Sequence, residues 1–303
     1  MAISRSQLVK ELEPGLNALF GLEYKRYENQ HAEIYATENS DRAFEEEVML
    51  SGFANAQVKG EGSGVSFDEA QETFTARYTH ETVALAFAIT EEAIEDNLYD
   101  RLASRYTKAL ARSMSNAKQV KAVEPLIQGL PTTDGFDSGD GVSLFNTSHP
   151  TVAGTFANTL ATQADLNETS LEQSMIDIAK MSDERGLRIA ARGVKMIIPS
   201  ELQFTAERLM KSQGRTGTAD NDINAIVSMG MVPQGYRVNN YLTDSDAFYI
   251  LTDIPNGMKM FNRAPLTTAM EGDFDTGNVR YKARERYSFG VSDPRGIFGV
   301  EGA

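Results

Sequence analysis

The sequence predicts an α+β fold organised around one long helix. Three observations support this class. Residues 90–123 contain neither Pro nor Gly and repeat apolar side chains about every four residues, which indicates an amphipathic helix. Residues 74–78, 83–89 and 279–291 alternate apolar and polar side chains, as strands do. Hydrophobic residues make up 41% of the 303-residue chain, enough for one extended domain or two subdomains with a core.

The long helix is predicted to begin at Thr90, whose hydroxyl can cap the first turn, and to end at Pro125. Acidic residues fill its first third and basic residues the rest, in accord with the helix macrodipole. At about 1.5 Å per residue it would be about 50 Å long. Its predicted buried stripe consists of Ile94, Leu98, Leu102, Tyr106, Leu110 and Met114.

Residues 1–49 are predicted to form an arm rather than a domain. Short helices are expected over 4–13, 16–27 and 41–49, with Pro14 and Gly15 ending the first. None has a complete apolar face. We therefore expect them to bury what they have against a neighbouring subunit.

The next segment is predicted to be an extended hairpin. Residues 74–78 and 83–89 alternate as strands on either side of a bend at His80 and Glu81. Upstream, residues 53–58 and 65–67 flank a glycine-rich tip, so we expect a two-stranded excursion without a core of its own. The tip residues are Lys59, Gly60, Gly62 and Gly64.

The central part alternates loops, helices and strands. We expect a surface loop over 126–163, a helix opened by a capping box at 169–172 and stopped by Gly186, and a buried strand over 194–199. A second capping box at 200–203 predicts a helix to Met210, followed by an exposed polar loop over 211–222. Further strands are predicted over 236–241, 247–251 and 258–261.

The last predicted strand, 279–291, has one apolar and one cationic face. Four like charges side by side repel unless acidic groups face them. Because the chain carries a net charge of -14, we expect ion pairing within or between subunits rather than contact with nucleic acid. The cationic residues are Arg280, Lys282, Arg284 and Arg286.

Composition excludes several function classes. A net charge of -14 argues against a primary role in gripping nucleic acid or an anionic membrane. The absence of cysteine excludes disulfides, thiolate metal sites and cysteine nucleophiles. No run approaches the roughly 18 apolar residues of a membrane span, so we expect a soluble protein without a membrane partner.

Catalytic and metal motifs are weak. Ser148 and His149 are adjacent, but no strand–turn–helix elbow presents a serine; a soluble α+β hydrolase that uses His149 remains the alternative from another class. The Asp-rich stretches 134–140 and 273–278 lack the ligand spacing of a calcium loop, and the tip at 60–64 lacks the Lys-Ser/Thr of a phosphate loop. We expect no cofactor, no metal and no enzymatic activity.

Four motifs carry a resemblance to a known family: LFNTSHP at 144–150; PSELQFTAER at 199–208 with GTADNDIN at 217–224; YLTD at 241–244; and EGDFDTG at 271–277 through SDPRG at 292–296. With them the chain resembles the major capsid proteins of tailed bacteriophages of the Hong Kong 97-type fold, in particular the subfamily of Mu-like major head subunits. The resemblance covers most of the chain.

The resemblance implies a domain organisation. Residues 1–49 would be the N-terminal arm, 50–88 the extended loop over an adjacent subunit, and 89–186 the peripheral domain with its spine helix at 90–123. Residues 187–254 would be the axial domain, with the loop that holds Arg215 and Asp220 near the symmetry axes. Residues 255–303 would return to the peripheral domain.

The resemblance further implies a structural protein that self-assembles as pentamers and hexamers into an icosahedral head around double-stranded DNA, in the virion, after synthesis in the host cytoplasm. Expected partners are a portal protein, a separate scaffold and, in some heads, a decoration protein. An encapsulin-like compartment shell is the alternative of the same fold. Some family members join an extended-loop Lys to a neighbour's Asn; no motif around Lys59 supports that bond, so we expect non-covalent locking.

The resemblance leaves the assembly interface to be assigned residue by residue. We expect it to include the tip, the exposed arginines Arg105 and Arg112 of the spine helix, the loop with Arg215 and Asp220, and the cationic strand.

Overall fold

The computed structural model describes residues 5–90, 92, 99–133, 135–215, 222–273 and 277–303, with the backbone alone for 5–12 and 99–102. In chain order its elements are α1 (Arg5–Arg26), β1 (Ala36–Asn39), β2 (Phe44–Leu50), β3 (Glu72–Thr79), β4 (Glu81–Ile89), α2 (Tyr99–Gln128), β5 (His149–Thr151), β6 (Gly154–Phe156), α3 (Glu168–Lys180), β7 (Gly193–Ile198), α4 (Gln203–Lys211), α5 (Ala225–Met229), β8 (Tyr236–Val238), β9 (Phe248–Thr252), β10 (Met258–Gly272), β11 (Val279–Val291) and β12 (Ile297–Val300).

The first sheet has the strand order β1-β10-β11-β4. β11 lies antiparallel between β10 and β4, as its predicted alternation requires of a strand with one buried face. The face that carries Tyr281 and Ala283 packs against α1 and α2. The predicted strand at 279–291 is confirmed, whereas β10 extends 11 residues beyond the predicted end at Phe261, to Gly272.

The long helix α2 is confirmed over its described length, Tyr99–Gln128. The predicted start at Thr90 and the stripe residues Ile94 and Leu98 precede the described helix. Ala103, Leu110 and Met114 are buried, but Tyr106 is 48% exposed. A stripe drawn every four residues drifts around a helix of 3.6 residues per turn, so Tyr106 falls beside the buried face rather than on it.

Two prolines predicted to end helices lie inside them. α1 runs through Pro14, and α2 continues past Pro125 to Gln128. A proline inside a helix costs about 3 kcal/mol. Burial of the residues that follow, Phe20 in α1 and Leu126 in α2, offsets this cost. The two predicted helices over 4–13 and 16–27 are therefore one helix.

The predicted helix at 41–49 is wrong, because Phe44–Leu50 forms β2, paired antiparallel with β3. Alternation in this stretch is inverted: Glu45, Glu47 and Met49 are half-buried on the inner face, while Phe44, Val48 and Leu50 are exposed. The inward Glu47 accepts a hydrogen bond from buried Lys259 at 2.6 Å. β2 and β3 form the base of the extended excursion.

The second sheet has the order β12-β9-β7-β8 and packs against α3 and α4. The strands predicted at 194–199, 236–241 and 247–251 are present as β7, β8 and β9 with shifted ends. β12 was not predicted, and it pairs with β9 in this second sheet. A cluster with Leu126 and Tyr249 joins the two sheets.

Both predicted capping boxes are displaced. α3 begins two residues earlier, with Asn167 as N-cap and Ser170 completing the box, and it ends at Lys180 instead of Gly186. Ser200–Leu202 forms a 3₁₀ turn, and α4 follows without a side-chain cap. Short polar residues supply caps at several offsets, so the sequence cannot decide which one serves.

The segment 126–163 is not the predicted surface loop. Leu144 and Phe145 are fully buried between α2 and the second sheet. Phe145 lies so close to Gly299 that a Cβ there would meet its ring at 2.6 Å. Isolated apolar residues in a polar stretch have no periodicity, which is why the pattern misled the prediction.

Candidate assembly surfaces

The excursion between β2 and β3 is the most exposed segment among the described residues. It opens at a backbone bond from Ser51 to Gln71 of 2.9 Å, and it carries no strand between them, although strands were predicted over 53–58 and 65–67. Two apolar side chains there are almost fully exposed, Val58 at 99% and Phe67 at 98%. Apolar surface of this kind gains free energy only when something covers it.

The predicted tip residues lie at the end of this excursion. Lys59, Gly60, Gly62 and Gly64 are all exposed. Gly62 has φ +77°, a left-handed conformation that favours glycine and closes the turn, and Ser63 donates its backbone N–H to the Gly60 carbonyl at 3.2 Å.

The outer face of the first sheet carries the predicted cationic strand. Arg280, Lys282 and Arg284 are exposed and Arg286 is half-buried. Arg280 pairs with Asp273. In the described part of the chain, the other three make no ion pair, so the predicted ion pairing is present within the subunit for Arg280 alone.

The remaining predicted interface residues lie elsewhere. Arg105 and Arg112 are exposed on α2. Arg215 donates through Nε to Glu168 at 2.8 Å, which links the loop after α4 to the start of α3. Asp220 lies outside the described residues. The tip, α2 and the cationic strand are therefore three separate surfaces of one subunit.

His149, the basis of the hydrolase alternative, is fully buried in a hydrogen-bonded network. Its Nδ1 lies 2.7 Å from Asp140, and its Nε2 lies 2.9 Å from the side-chain oxygen of Asn158. The pKa of Asp140 is lowered: burial opposes ionisation, but hydrogen bonds from His149 and Ser138 outweigh it. Both imidazole nitrogens thus have protein partners, and adjacent Ser148 is exposed. This geometry ties the 140–158 segment together.

Arg295 extends this buried network. Its guanidinium contacts Glu184 at 2.5 Å and Asp293 at 3.2 Å, and it stacks over Phe156 at 4.2 Å. Burial raises the pKa of Asp293 above its usual value, although Arg295 opposes the shift. The network holds three loops together inside the subunit. The exposed candidate surfaces lie on the excursion and on the first sheet instead.

Glu285 anchors the helices to the first sheet. Its side chain lies on the buried face of β11 and is only 2% exposed. Its carboxylate receives Lys118 of α2 at 3.2 Å and the Tyr24 hydroxyl of α1 at 3.4 Å. Burial raises the pKa of Glu285 despite the lysine. One carboxyl group of the sheet thus contacts both helices that pack on it.

The strand predicted over 83–89 is present, but its place at the sheet edge was not predicted; the run TVALAFAI at 82–89, which forms most of β4, carries no charge. β4 is the last strand of its sheet, and Leu85 is 45% exposed there. A charge-free strand of this length is unusual at a sheet edge, and this signal was available in the sequence.

None of the described helices is long and apolar enough to cross a bilayer. Within the described residues, no group of three or more His, Cys, Asp or Glu side chains has the arrangement of a metal site.

Comparison with known proteins agrees with this architecture. The model of the phage capsid protein family matches residues 72–300. No curated protein matches the chain in sequence.

The solved structures that the chain resembles include shells of viral and virus-like particles. The chain resembles the virus-like particle of Pyrococcus furiosus with a TM-score of 0.52 and 11% identity, over 94% of this chain and 98% of that one. It resembles the capsid of an empty GTA particle with a TM-score of 0.57 and 12% identity, over 90% of this chain and 89% of that one. It resembles the capsid of Myoviridae phage XM1 with a TM-score of 0.53 and 12% identity, over 89% of this chain and 90% of that one. At these identities the likeness concerns the fold.

The family match spans three quarters of the chain and includes the long helix, the second sheet, three strands of the first sheet and the buried 140–158 segment, so the chain belongs to the phage capsid protein family.

Proposed function

We propose that this protein is the major head subunit of a tailed phage, which self-assembles without covalent cross-links into an icosahedral shell around packaged double-stranded DNA. The observation that carries the proposal is the exposed excursion, whose side chains Val58 and Phe67 have almost no cover within the subunit. A segment without packing of its own is stable in function only when a neighbour supplies the partner surface.

Several surfaces support repeated self-association. The excursion of about ten residues in each limb can reach about 30 Å beyond its base, at about 3.3 Å per residue. Exposed arginines on α2 and cations on the first sheet provide further contacts for a chain with net charge -14. Distinct surfaces on one subunit suit an assembly in which every copy has several neighbours.

The proposed organisation follows the family. Residues 1–49 act as the arm, 50–88 as the extended loop, 89–186 with 255–303 as the peripheral domain and 187–254 as the axial domain. The subunit would form pentamers and hexamers after synthesis in the host cytoplasm and meet a portal protein, a separate scaffold and, in some heads, a decoration protein. It acts as a structural protein and not as an enzyme, and the Mu-like subfamily is its proposed place in the family.

The acidic composition suits this role. A shell with negative net charge does not bind the genome tightly, because protein–DNA affinity comes mostly from cations that neutralise phosphates. DNA contact in the proposed head is therefore non-specific and weak, which allows the genome to leave.

Electron microscopy of the purified protein tests the proposal. We expect thin-walled icosahedra, and DNA inside heads isolated from infected cells. A shell that encloses protein cargo instead would make the protein a compartment subunit, and a stable monomer under all conditions that favour assembly would refute shell formation.

Two variants test the excursion. Phe67→Ser is expected to leave the subunit folded, because the side chain is 98% exposed, but to lower particle yield; Ile176→Ser, which removes a 47% exposed side chain from α3, is the matched control. Deletion of 60–64 should act like Phe67→Ser. Wild-type yield and particle stability in both excursion variants would contradict the assigned role.

A further inference from the structure

The outer edge of β4 is an open position for another strand. In the described part of the chain, β4 pairs with β11 on one side and with no strand on the other. Edge strands expose unpaired N–H and C=O groups and are usually protected by charges, Pro or bulges. Thr82–Ile89 has none of these protections. An added strand would satisfy these groups, as in β-strand addition.

The side of β4 that faces α2 is apolar and incompletely covered. Leu85 is 45% exposed, and Tyr106 of α2 is 48% exposed, with its ring 5.7 Å from that of Phe87. A strand placed beside β4 would cover both with its own apolar side chains. This face therefore favours a partner strand with apolar residues on one side.

On the opposite side of β4, the cations of β11 are separated from the free edge only by alanine side chains of β4. In the register, Lys282 lies opposite Ala86, and Arg284 lies opposite Ala84. The long stems of Lys and Arg can cross one strand spacing of about 4.8 Å when only a methyl group lies in their path. Their charges can then meet carboxylates on a strand beyond β4.

We propose that the free edge of β4 pairs with residues 65–72 of a second copy of this chain. The segment, VSFDEAQE, runs from the excursion to Glu72, the first residue of β3, and carries Val65 and Phe67 on one side of an extended strand and Asp68 and Glu72 on the other. Val65 is 68% and Phe67 98% exposed in the subunit. The inference rests on the proposed self-assembly, and it adds the surface on which the excursion settles.

Charge and spacing match on the cationic side. Asp68 and Glu72 are four residues apart, about 13 Å along a strand, and the cations of β11 from Lys282 through Arg284 to Arg286 span the same length. Phe67 and Val65 would then face Leu85 and Tyr106 on the apolar side. One segment thus satisfies the backbone edge, the apolar face and the cations at once.

Nucleic acid fits this surface less well. A phosphate backbone would meet the cations, but it would leave the backbone groups of β4 and the apolar Leu85 without a partner. A protein strand can contact the cations, the backbone groups of β4 and Leu85 at the same time.

Cross-linking between copies tests the contact directly, because the chain has no cysteine of its own. Subunits with Ala86→Cys are co-assembled with subunits that carry Ala70→Cys, which lies on the same side of the segment as Asp68, and treated with a short bismaleimide. We expect a covalent dimer from particles and none from unassembled subunits. The control partner, Ala161→Cys, replaces an exposed alanine of the 157–166 loop and should give no dimer. Particles without the Ala86–Ala70 cross-link overturn the inference.

A charge exchange tests the energetics. Lys282→Glu with Arg284→Glu should lower particle yield at least tenfold, Asp68→Lys with Glu72→Lys should do the same, and all four together should restore it. Lys180→Glu, an exposed reversal on α3, should have no effect. Circular dichroism confirms folding of each variant. Normal assembly of the Lys282/Arg284 variant, failure of the four-fold variant to recover, or normal shells that hold less DNA would each overturn the inference. Failure of the wild type to form shells would instead refute the proposed function.

Discussion

The docking of α1 on the first sheet makes a quantitative prediction about Phe20. This side chain is 2% exposed, stacks on Tyr24 at 6.0 Å between ring centres, and packs into the cluster with Met114 and Tyr281. A buried phenylalanine removes about 150–250 Å² from water, which at about 25 cal/mol per Å² corresponds to about 4–6 kcal/mol. Since alanine keeps part of that burial, Phe20→Ala should lower the free energy of unfolding by about 3–5 kcal/mol.

Urea unfolding of unassembled subunits, followed by far-UV circular dichroism, measures this change, and hydrogen exchange of α1 amides locates it. Leu22→Ala is the matched control, because Leu22 lies two residues later on the same helix and is 73% exposed. We expect a change of about 0.5 kcal/mol or less there. Equal effects of the two substitutions would show that α1 is not docked as described.

Three further predictions concern single buried positions. Gly296→Ala should destabilise the fold by several kcal/mol, because a Cβ would lie 2.3 Å from the Gly257 backbone. In Gly21→Ala of α1 the added Cβ meets nothing within 4 Å, so this control should stabilise the fold by about 0.5–1 kcal/mol. Thermal unfolding measures both changes. Burial lowers the pKa of His31 to about 4, so the unfolded chain binds a proton before the folded protein does as pH falls. The free energy of unfolding should therefore drop by up to about 3 kcal/mol between about pH 6.5 and 4. His31→Gln should flatten this pH dependence in denaturant titrations. Arg295→Met leaves two buried carboxylates unpaired and should cost about 3–5 kcal/mol of unfolding free energy at pH 7; a change below 1 kcal/mol would contradict the network.

Elements with a long, regular apolar pattern could be predicted reliably from the sequence. The alternation of Val279–Val291 predicted β11 and its cationic face, and the long apolar repeat predicted α2, because each pattern extends over more residues than chance combinations do. The exposed excursion followed from its glycines and lack of core residues. These elements hold most of the candidate surfaces.

Elements stabilised by distant contacts were predicted poorly. Pro14 reads as a helix end, yet α1 continues because Phe20 is buried against α2 and β11. Phe44–Leu50 reads as a helix, yet it pairs with β3, a partner more than 20 residues away. Leu144 and Phe145 have no pattern at all, and their burial comes from the second sheet. Local propensity cannot register such partners.

The open edge of β4 shows a different limit. Its uncharged sequence was visible, but only the strand order reveals that β4 is terminal and that alanines separate the edge from the cations of β11. A site of this type is a juxtaposition across strands, and the linear sequence does not contain it.

The pair of Lys118 and Glu285 tests whether the shared carboxyl holds the helices by its charge. Removal of one partner of a buried pair is costly, since the other charge stays unpaired, whereas an apolar replacement of both is often neutral. Lys118→Met should therefore lower the free energy of unfolding at pH 7 by about 3 kcal/mol, and Lys118→Met with Glu285→Leu should recover most of it.

The pH dependence separates this explanation from lost packing. Burial already raises the pKa of Glu285 in the folded protein, and loss of Lys118 removes the main opposing charge. As pH falls toward 4, the folded Lys118→Met variant takes up a proton on Glu285 before the unfolded chain does, so its deficit relative to wild type should shrink. A deficit that stays constant from pH 7 to 4 would mean that Lys118 contributes through the packing of its stem and not through its charge on Glu285.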